Sequence, residues 1–271
     1  MAASFEQGDW YDAPLYYDIV FEQHTRPETA FVEAMYARWV SRGRRRILEP
    51  ACGSGRLIEA LAGRGFEVDG FDASEPMLRF ARERLARAAG VKRKSPAPRA
   101  GLRQARMEAF SCRRRYDLAH CFVSTFKYLP SEADAAAHLR CVAAALRRGG
   151  VYLLGFHLTD YQVERAIDRE RWTGARGDVS VVCNIQSWPP KRRARSELVR
   201  SRLRVTRRGR EVRRFETQWS FRTYSPAQFR ALLRRVPELE LVAVHDFDYD
   251  PEVTHELGSD RMDVVAVLRR R

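Results

Sequence analysis

The chain has 271 residues, 45% of them hydrophobic, which is enough for a sizeable core and argues against global disorder. Its 49 Lys and Arg against 35 Asp and Glu leave a net charge of +14; this raises nucleic acid as a partner, although an arginine-rich composition with solvated guanidinium groups explains it more simply. No apolar run approaches the roughly 18 residues of a membrane helix, the acidic, polar stretch Met1–Asp9 does not read as a secretory signal, and the scattered Cys52, Cys112, Cys121, Cys141 and Cys183 form no CxxC pair or Cys/His cluster. The expectation is a cytoplasmic protein with no membrane partner, no disulfide framework and no bound metal.

In chain order, residues 1–45 open with Trp10-Tyr-Asp-Ala-Pro-Leu-Tyr-Tyr-Asp-Ile-Val-Phe21. This aromatic and acidic segment reads either as a helical lid or as a helix packed into the core. Phe31, Val32, Met35, Tyr36 and Trp39 recur at helical spacing and predict a helix over 27–42. Strands and helices then alternate: a strand at 46–50, a helix at 55–64, and a strand at 66–72. A helix capped by Ser74 follows and runs to 89. Residues 90–103, with Lys92, Arg93, Lys94 and two prolines, read as an exposed basic loop. A short strand near 102–106, a strand at 116–123, a helix from Ser131 to Gly149-Gly150 and a strand at 151–157 complete a core over 46–157.

The pattern changes after His157. Residues 158–178 are polar and read as partly helical, and 179–187, 198–206 and 212–221 as antiparallel strands with Arg208-Gly209 at a turn. This block, 158–224, reads as a substrate lid or a dimer surface. Over 225–271, a helix at 226–236 and strands at 239–247 and 262–268 complete the core sheet. The alternation predicts an α/β fold: a Rossmann-like, doubly wound and mostly parallel sheet with an antiparallel edge strand, plus a small antiparallel β insertion.

The turn Gly53-Ser-Gly55 between the first core strand and its helix points backbone N–H groups at a ligand. It lacks the third glycine of a dinucleotide fingerprint. Glu49, four residues ahead, would repel a pyrophosphate and suits a cationic ligand. Asp72 ends the next strand, where an acid can accept both ribose hydroxyls. Together they suit an adenosine carried without a phosphate cradle.

Glu49-Pro-Ala-Cys-Gly-Ser-Gly55, Asp72 with Ser74-x-x-Met77, Met107-Glu108 and Asp117-Leu-Ala-His-Cys-Phe-Val-Ser124 occur in this order. That order resembles the class I S-adenosylmethionine-dependent methyltransferases. The resemblance implies S-adenosylmethionine as cofactor and S-adenosylhomocysteine as product. It places Ala51, Gly53 and Gly55 at the methionine moiety and Asp72 at the ribose, with Glu49, Ser54 and Ala73 as further cofactor-binding residues. Met77, Met107 and Glu108 would lie at the adenine, and Cys121, Phe122 and Val123 beside the sulfonium. The acid and the apolar residue at 107–108 stand in reversed order relative to many family members.

Methyl transfer from a sulfonium needs alignment and, for some acceptors, removal of a proton. His157, at the end of the fifth core strand, is the candidate base, with a plain hydrogen-bonding role as the other reading. Tyr16 and Tyr17 could close over the sulfonium. Thr125, Lys127, Trp172, Trp219, Arg222, Tyr224 and His245 are candidates for the substrate pocket, and the run Asp246–Asp250 for a substrate amine, a metal or a solvated loop. The expected activity is methylation of an N or O nucleophile on a small molecule, with a homodimer as the expected assembly if one forms. The alternatives are an RNA or protein methyltransferase using the basic surface, and a cofactor-binding regulatory protein without turnover.

Overall fold

The computed structural model describes residues 4–90, 100–164, 166–258 and 261–271. A two-residue strand β1 (Glu6–Gln7) precedes a 3-10 turn at Trp10–Asp12, helix α1 (Pro14–Phe21) and helix α2 (Thr25–Trp39). Then come β2 (Arg46–Pro50), α3 (Arg56–Ala62), β3 (Glu67–Asp72), α4 (Glu75–Gly90), β4 (Ala100–Gln104), β5 (Tyr116–Cys121), α5 (Glu132–Ala145) and β6 (Leu146–His157). Four long strands follow: β7 (Asp168–Arg176), β8 (Val179–Ser187), β9 (Ser196–Arg207) and β10 (Arg210–Arg222). Helix α6 (Pro226–Arg234) and strands β11 (Leu239–His245) and β12 (Asp263–Arg270) close the chain.

The central sheet has the order β11-β12-β6-β5-β2-β3-β4. Strands β4, β3, β2, β5 and β6 are parallel, and β12 runs against β6. The reversed strand therefore lies one place in from the edge, which β11 occupies. Every residue of β5 is buried, as befits a strand covered on both faces. On one face Ile47, Val68, Leu118 and Leu153 pack against Phe31, Val32 and Met35 of α2 and Leu57, Ile58 and Leu61 of α3. On the other, Leu48, Phe71, Ala119 and Leu154 pack against Leu139 and Val142 of α5 and Phe229 and Leu232 of α6. Each fully buried Leu, Ile or Phe contributes about 1.5–3 kcal/mol.

A second sheet, β1-β10-β9-β8-β7, is antiparallel except for the β1–β10 pair. Its inner face (Val181, Cys183, Val199, Leu203, Phe215) packs on Trp10, Ile19, Val20 and Phe21. The N-terminal segment is thus built into this core. The expected helical character of 158–178 does not hold over β7, an edge strand paired with β8 through the turn at Gly177-Asp178. Its run Asp168-Arg-Glu-Arg171 carries the charges by which edge strands resist pairing with other chains, and these hide the β pattern. Helix α5 also stops at Ala145, before the expected Gly149-Gly150. The stretch Arg147–Gly150 instead bulges out of β6 where Tyr116 pairs with Leu146 and Leu118 with Val151. The basic triplet Lys92–Lys94 lies outside the described residues.

Candidate active site

Chain reversal after β2 is tight. Ala51, Gly53 and Gly55 have φ of 53°, 51° and 71°, and the Cys52 N–H donates to the Phe71 carbonyl at 3.0 Å. A Cβ on Gly55 would lie 2.9 Å from Cβ of Ala81, so glycine here lets α4 press against the turn. The Asp72 carboxylate clamps both loops: Oδ2 accepts the Gly53 N–H at 2.8 Å and Oδ1 the Ser74 N–H at 2.8 Å. Burial raises its pKa above the ordinary carboxylate value, opposed by these backbone donors. Each oxygen keeps a further lone pair.

Above this clamp lies a cavity of about 550 Å³, the size of a small-ligand site. Its floor is Ala51, Gly53, Asp72 and Ala73, and one wall is Ser74, Glu75 and Pro76. A second wall runs from Ala105 through Arg106 and Met107 to Glu108, and a third is Thr125, Tyr128, Leu129 and Pro130. Asp9, Tyr11, Asp12 and Tyr17 of the N-terminal segment form the roof. Burial raises the phenols of Tyr11, Tyr17 and Tyr128 well above their ordinary value, so all three stay protonated. Five lining carboxylates face one lining cation, Arg106.

The wall from Ala105 to Glu108 is held from behind. Burial pushes His138 down to about 4, so it is neutral. A carbonyl can only accept, so His138 Nδ1–H donates to the Met107 carbonyl at 3.0 Å, and Nε2 accepts from Tyr152 Oη at 2.8 Å. After β5, Val123 and Ser124 both adopt positive φ, 55° and 59°, immediately ahead of Thr125. A β-branched residue in that region is strained, and such strain gathers at functional sites.

Of the expected cofactor residues, Tyr17, Ala51, Gly53, Asp72, Ala73, Met107 and Glu108 line the cavity. Ser54 and Gly55 lie behind the turn, with Ser54 Oγ donating to Asp18 Oδ1 at 2.7 Å. Met77 is fully buried beneath the first turn of α4, and Cys121 and Phe122 are core side chains rather than lining. Val123 acts through its backbone turn. Glu49 is buried under the glycine turn, its pKa raised well above normal by burial, and its Oε2 has no hydrogen-bond partner among the described residues. An orphaned buried acceptor is what an ammonium group satisfies, so the residues present fit an amino-acid-bearing nucleoside.

Among the substrate candidates, only Thr125 lines the cavity. Lys127 is buried and donates to Glu197 Oε2 at 3.0 Å. Tyr16 lies toward Phe215, Trp172 abuts Phe21, Trp219 stacks on Trp10 at 5.4 Å, and Arg222 bonds the Pro130 carbonyl at 3.2 Å. Tyr224 and His245 are fully buried in the core. His157 is not a poised base. Burial opposes its charge, but hydrogen bonds to Asp263 at 2.8 Å and the nearby Glu164 outweigh this and hold it up at about 9. In the acidic run, Asp246 Oδ2 pairs with His255 at 3.0 Å. No group of three His, Cys, Asp or Glu gathers there or elsewhere among the described residues.

Sequence reasoning passed over Tyr11, Tyr128, Asp9, Asp12 and Glu75 as lining residues. For Asp9, Tyr11 and Asp12 the signal was the aromatic and acidic density of 9–17 itself, whereas Tyr128 and Glu75 carried none.

The strand order, the clamped glycine turn and the adenosine-sized cavity define a class I methyltransferase fold. Residues 47–150 match the model of a methyltransferase-domain family. The chain is similar to the candidate methyltransferase YqeM of Bacillus subtilis, 31% identical over 112 residues, which are 41% of this chain and 42% of that one. The match thus spans less than half the length of that relative. Among solved structures, it resembles Streptomyces venezuelae DesVI with a TM-score of 0.73 at 19% identity, covering 98% of this chain and 100% of that one. It also resembles the sugar N-methyltransferase KedS8 of a Streptoalloteichus species, with a TM-score of 0.69 at 18% identity, covering 100% and 97%. At such identities these likenesses concern the fold. No helix among the described residues is long and apolar enough to cross a membrane.

Proposed function

We propose that the chain is an S-adenosylmethionine-dependent methyltransferase that alkylates an amine on a small molecule. The observation that carries this reading is the cavity lining: with Glu108 paired to Arg106 and Glu75 to Arg82, the carboxylates of Asp9, Asp12 and Asp72 remain without a cationic partner among the described residues, over the clamped turn. Such a field concentrates cations, and both a sulfonium and a protonated amine are cations. The sugar N-methyltransferase among the structural neighbours agrees with that class of acceptor.

S-adenosylmethionine supplies a methyl group on a positively charged sulfur, which departs neutral. Asp72 would accept the ribose hydroxyls, and Glu49, buried beneath the glycine turn and outside the cavity lining, would meet the ammonium of the methionine end. The backbone at Ala51 and Gly53 would border that end, and Met107 and Glu108 the adenine edge. Tyr11, Tyr17 and Tyr128 would cover the site and keep water out while remaining protonated. Thr125, placed by the strained Val123-Ser124 turn, orients the acceptor. An amine that has released its proton to water would attack the methyl carbon with its lone pair as the C–S bond breaks, and the methylated ammonium would lose its extra proton to solvent, so alignment carries the rate and no lining imidazole is required. The sheet β7–β10 supports the roof through Trp219 stacked on Trp10, which favours a lid-bearing role for the 158–224 block.

The test is an acceptor screen by mass spectrometry with amino sugars and their hydroxyl-only analogues, alongside calorimetry with S-adenosylhomocysteine. Amine methylation is expected. Methylation of hydroxyl-only compounds alone would overturn the amine reading, and transfer to RNA or protein would overturn the small-molecule reading. Cofactor binding without transfer to any acceptor would point to the regulatory alternative, and absence of S-adenosylhomocysteine binding would remove the cofactor assignment itself.

A further inference from the structure

The pole of the central sheet opposite the cavity is built of arginine. Arg44-Arg45-Arg46 leads into β2, Arg113-Arg114-Arg115 into β5, and Arg147-Arg148 opens β6. The reversed strand β12 brings Arg269-Arg270-Arg271 to the same pole. These four strands are consecutive in the sheet. Groups of arginines far apart in sequence therefore stand on neighbouring strands, about 4.8 Å apart.

Within this pole lies a hollow of about 780 Å³ lined by Arg42, Arg44, Arg46, Arg114, Arg115 and Arg147, together with Gly43 and the buried Asp117. Asp117 organises it. Its Oδ2 accepts the backbone N–H of Arg44 at 2.8 Å and of Arg46 at 3.0 Å, and the Tyr36 hydroxyl at 3.1 Å. Its Oδ1 accepts Arg147 Nε at 2.7 Å. The one carboxylate of the lining is thus consumed within the protein. A Cβ on Gly43 would collide with the Tyr36 hydroxyl, and Arg45 holds φ at 56°, so the 42–46 turn is fixed in shape.

The charges do not balance inside the hollow. Arg46 pairs with Glu67 at 2.8 Å, Arg114 pairs with Glu67 and reaches Asp69 at 3.8 Å, and Arg147 pairs with Asp117. The exposed side chains of Arg42, Arg44 and Arg115 have no hydrogen-bond or ion-pair partner among the described residues. Farther along the pole Arg269 pairs with Glu240 at 3.1 Å and Arg270 bonds the Leu146 carbonyl, while Arg113 and Arg148 stand outside the lining of the hollow. Three uncompensated guanidinium groups around one concavity repel each other until an anion enters, and each offers a planar fork of donors that matches phosphate oxygens. No lining residue is aromatic, so the hollow reads charge and oxygen geometry rather than a base.

We propose that this hollow is a second ligand site, distinct from the methyl-transfer cavity, that binds the polyphosphate group of a free, nucleotide-sized anion. Its volume is that of a single small-molecule site, and its unpaired charge is gathered in one concavity instead of being strung along a groove as a nucleic-acid backbone requires.

Calorimetry of the full chain with inorganic tripolyphosphate tests this. The variant Arg42→Ala/Arg44→Ala/Arg115→Ala removes the unpaired side chains. The control Arg171→Ala/Arg207→Ala/Arg210→Ala removes the same charge from exposed positions of the second sheet. The intact protein is expected to bind one tripolyphosphate saturably. The hollow variant should weaken binding by about tenfold or more, the control by less than about twofold, with S-adenosylhomocysteine binding the same in all three. No saturable binding by the intact protein, or equal weakening by both variants, would overturn the site. A single-stranded RNA bound more tightly than tripolyphosphate would overturn it in favour of an extended nucleic-acid surface.

Discussion

Asp18 of α1 accepts a hydrogen bond from Ser54 of the glycine turn, Oγ to Oδ1, at 2.7 Å. The same buried carboxylate pairs with Arg84 of α4 and, at 2.6 Å, with Arg176 of β7. One side chain therefore joins the roof, the cofactor turn and the second sheet. The Asp18→Ala substitution leaves Arg84, itself mostly buried, with Glu59 at 3.1 Å as its remaining partner, and Arg176 with Glu22. With both cations still paired, the cost falls below the roughly 3–5 kcal/mol of a buried charge left alone. A clear drop in melting temperature is expected, with S-adenosylhomocysteine binding weakened beyond it because Tyr11 and Tyr17 lose their anchor. Calorimetry at a temperature where the variant remains folded separates the two effects.

Asp72 carries the cofactor reading. Asp72→Asn puts an NH2 group where one oxygen now accepts a backbone N–H, from Gly53 or from Ser74. Loss of a charged acceptor costs about 1.5–3 kcal/mol. S-adenosylhomocysteine affinity should fall by roughly ten- to a hundredfold. Unchanged affinity in a calorimetric titration would show that the ribose is held elsewhere.

His157 gives a pH signature. Its folded value of about 9 stands above the ordinary 6.5 because of Asp263 and Glu164. The folded state thus holds the proton more tightly than the unfolded chain. The resulting stabilisation is complete below about pH 6.5 and is lost as pH rises through about 9. Asp263→Asn should bring the NMR titration of this imidazole down toward 6.5 and flatten that loss. His157→Ala should leave methyl transfer within about threefold of the parent, since the ring is outside the cavity; a collapse of kcat would reinstate it as a base.

His138 tests the Ala105–Glu108 wall of the cavity. His138→Leu removes the donor to the Met107 carbonyl and strands the Tyr152 hydroxyl. Stability should fall by about 1–3 kcal/mol. Because the wall moves and the acceptor side does not, KM for S-adenosylmethionine should rise more than kcat falls. Steady-state kinetics at saturating acceptor reads the split.

Much of the fold was legible because its signals are local. The alternation of strands and helices from Ile47 to His157 follows from side-chain periods that a short window reveals. The second sheet was read short by two strands: β1 is a two-residue pairing with β10, and the charges of Asp168–Arg171 mask β7, an edge position whose pairing with β8 is set by tertiary contact. The candidate site divides in the same way. Ala51, Gly53 and Asp72 could be placed because a turn and a strand end have fixed offsets. Lys127, Trp172, Trp219, Tyr224 and His245 could not be told from core aromatics and buried polar groups, since their chemistry is the same and only burial separates them.

By itself, then, the amino-acid order determined a parallel-rich α/β core with a glycine turn and an acid at the next strand end, because propensity, hydrophobic period and turn chemistry act over a few neighbouring residues. Tertiary structure decided what lies at the two poles of that core. Chain folding carries Tyr11 and Tyr17 over the Asp72 clamp and sets Arg42, Arg44 and Arg115 around one hollow. These arrangements join segments tens of residues apart, and only the register and direction of the strands between them determine which side chains meet.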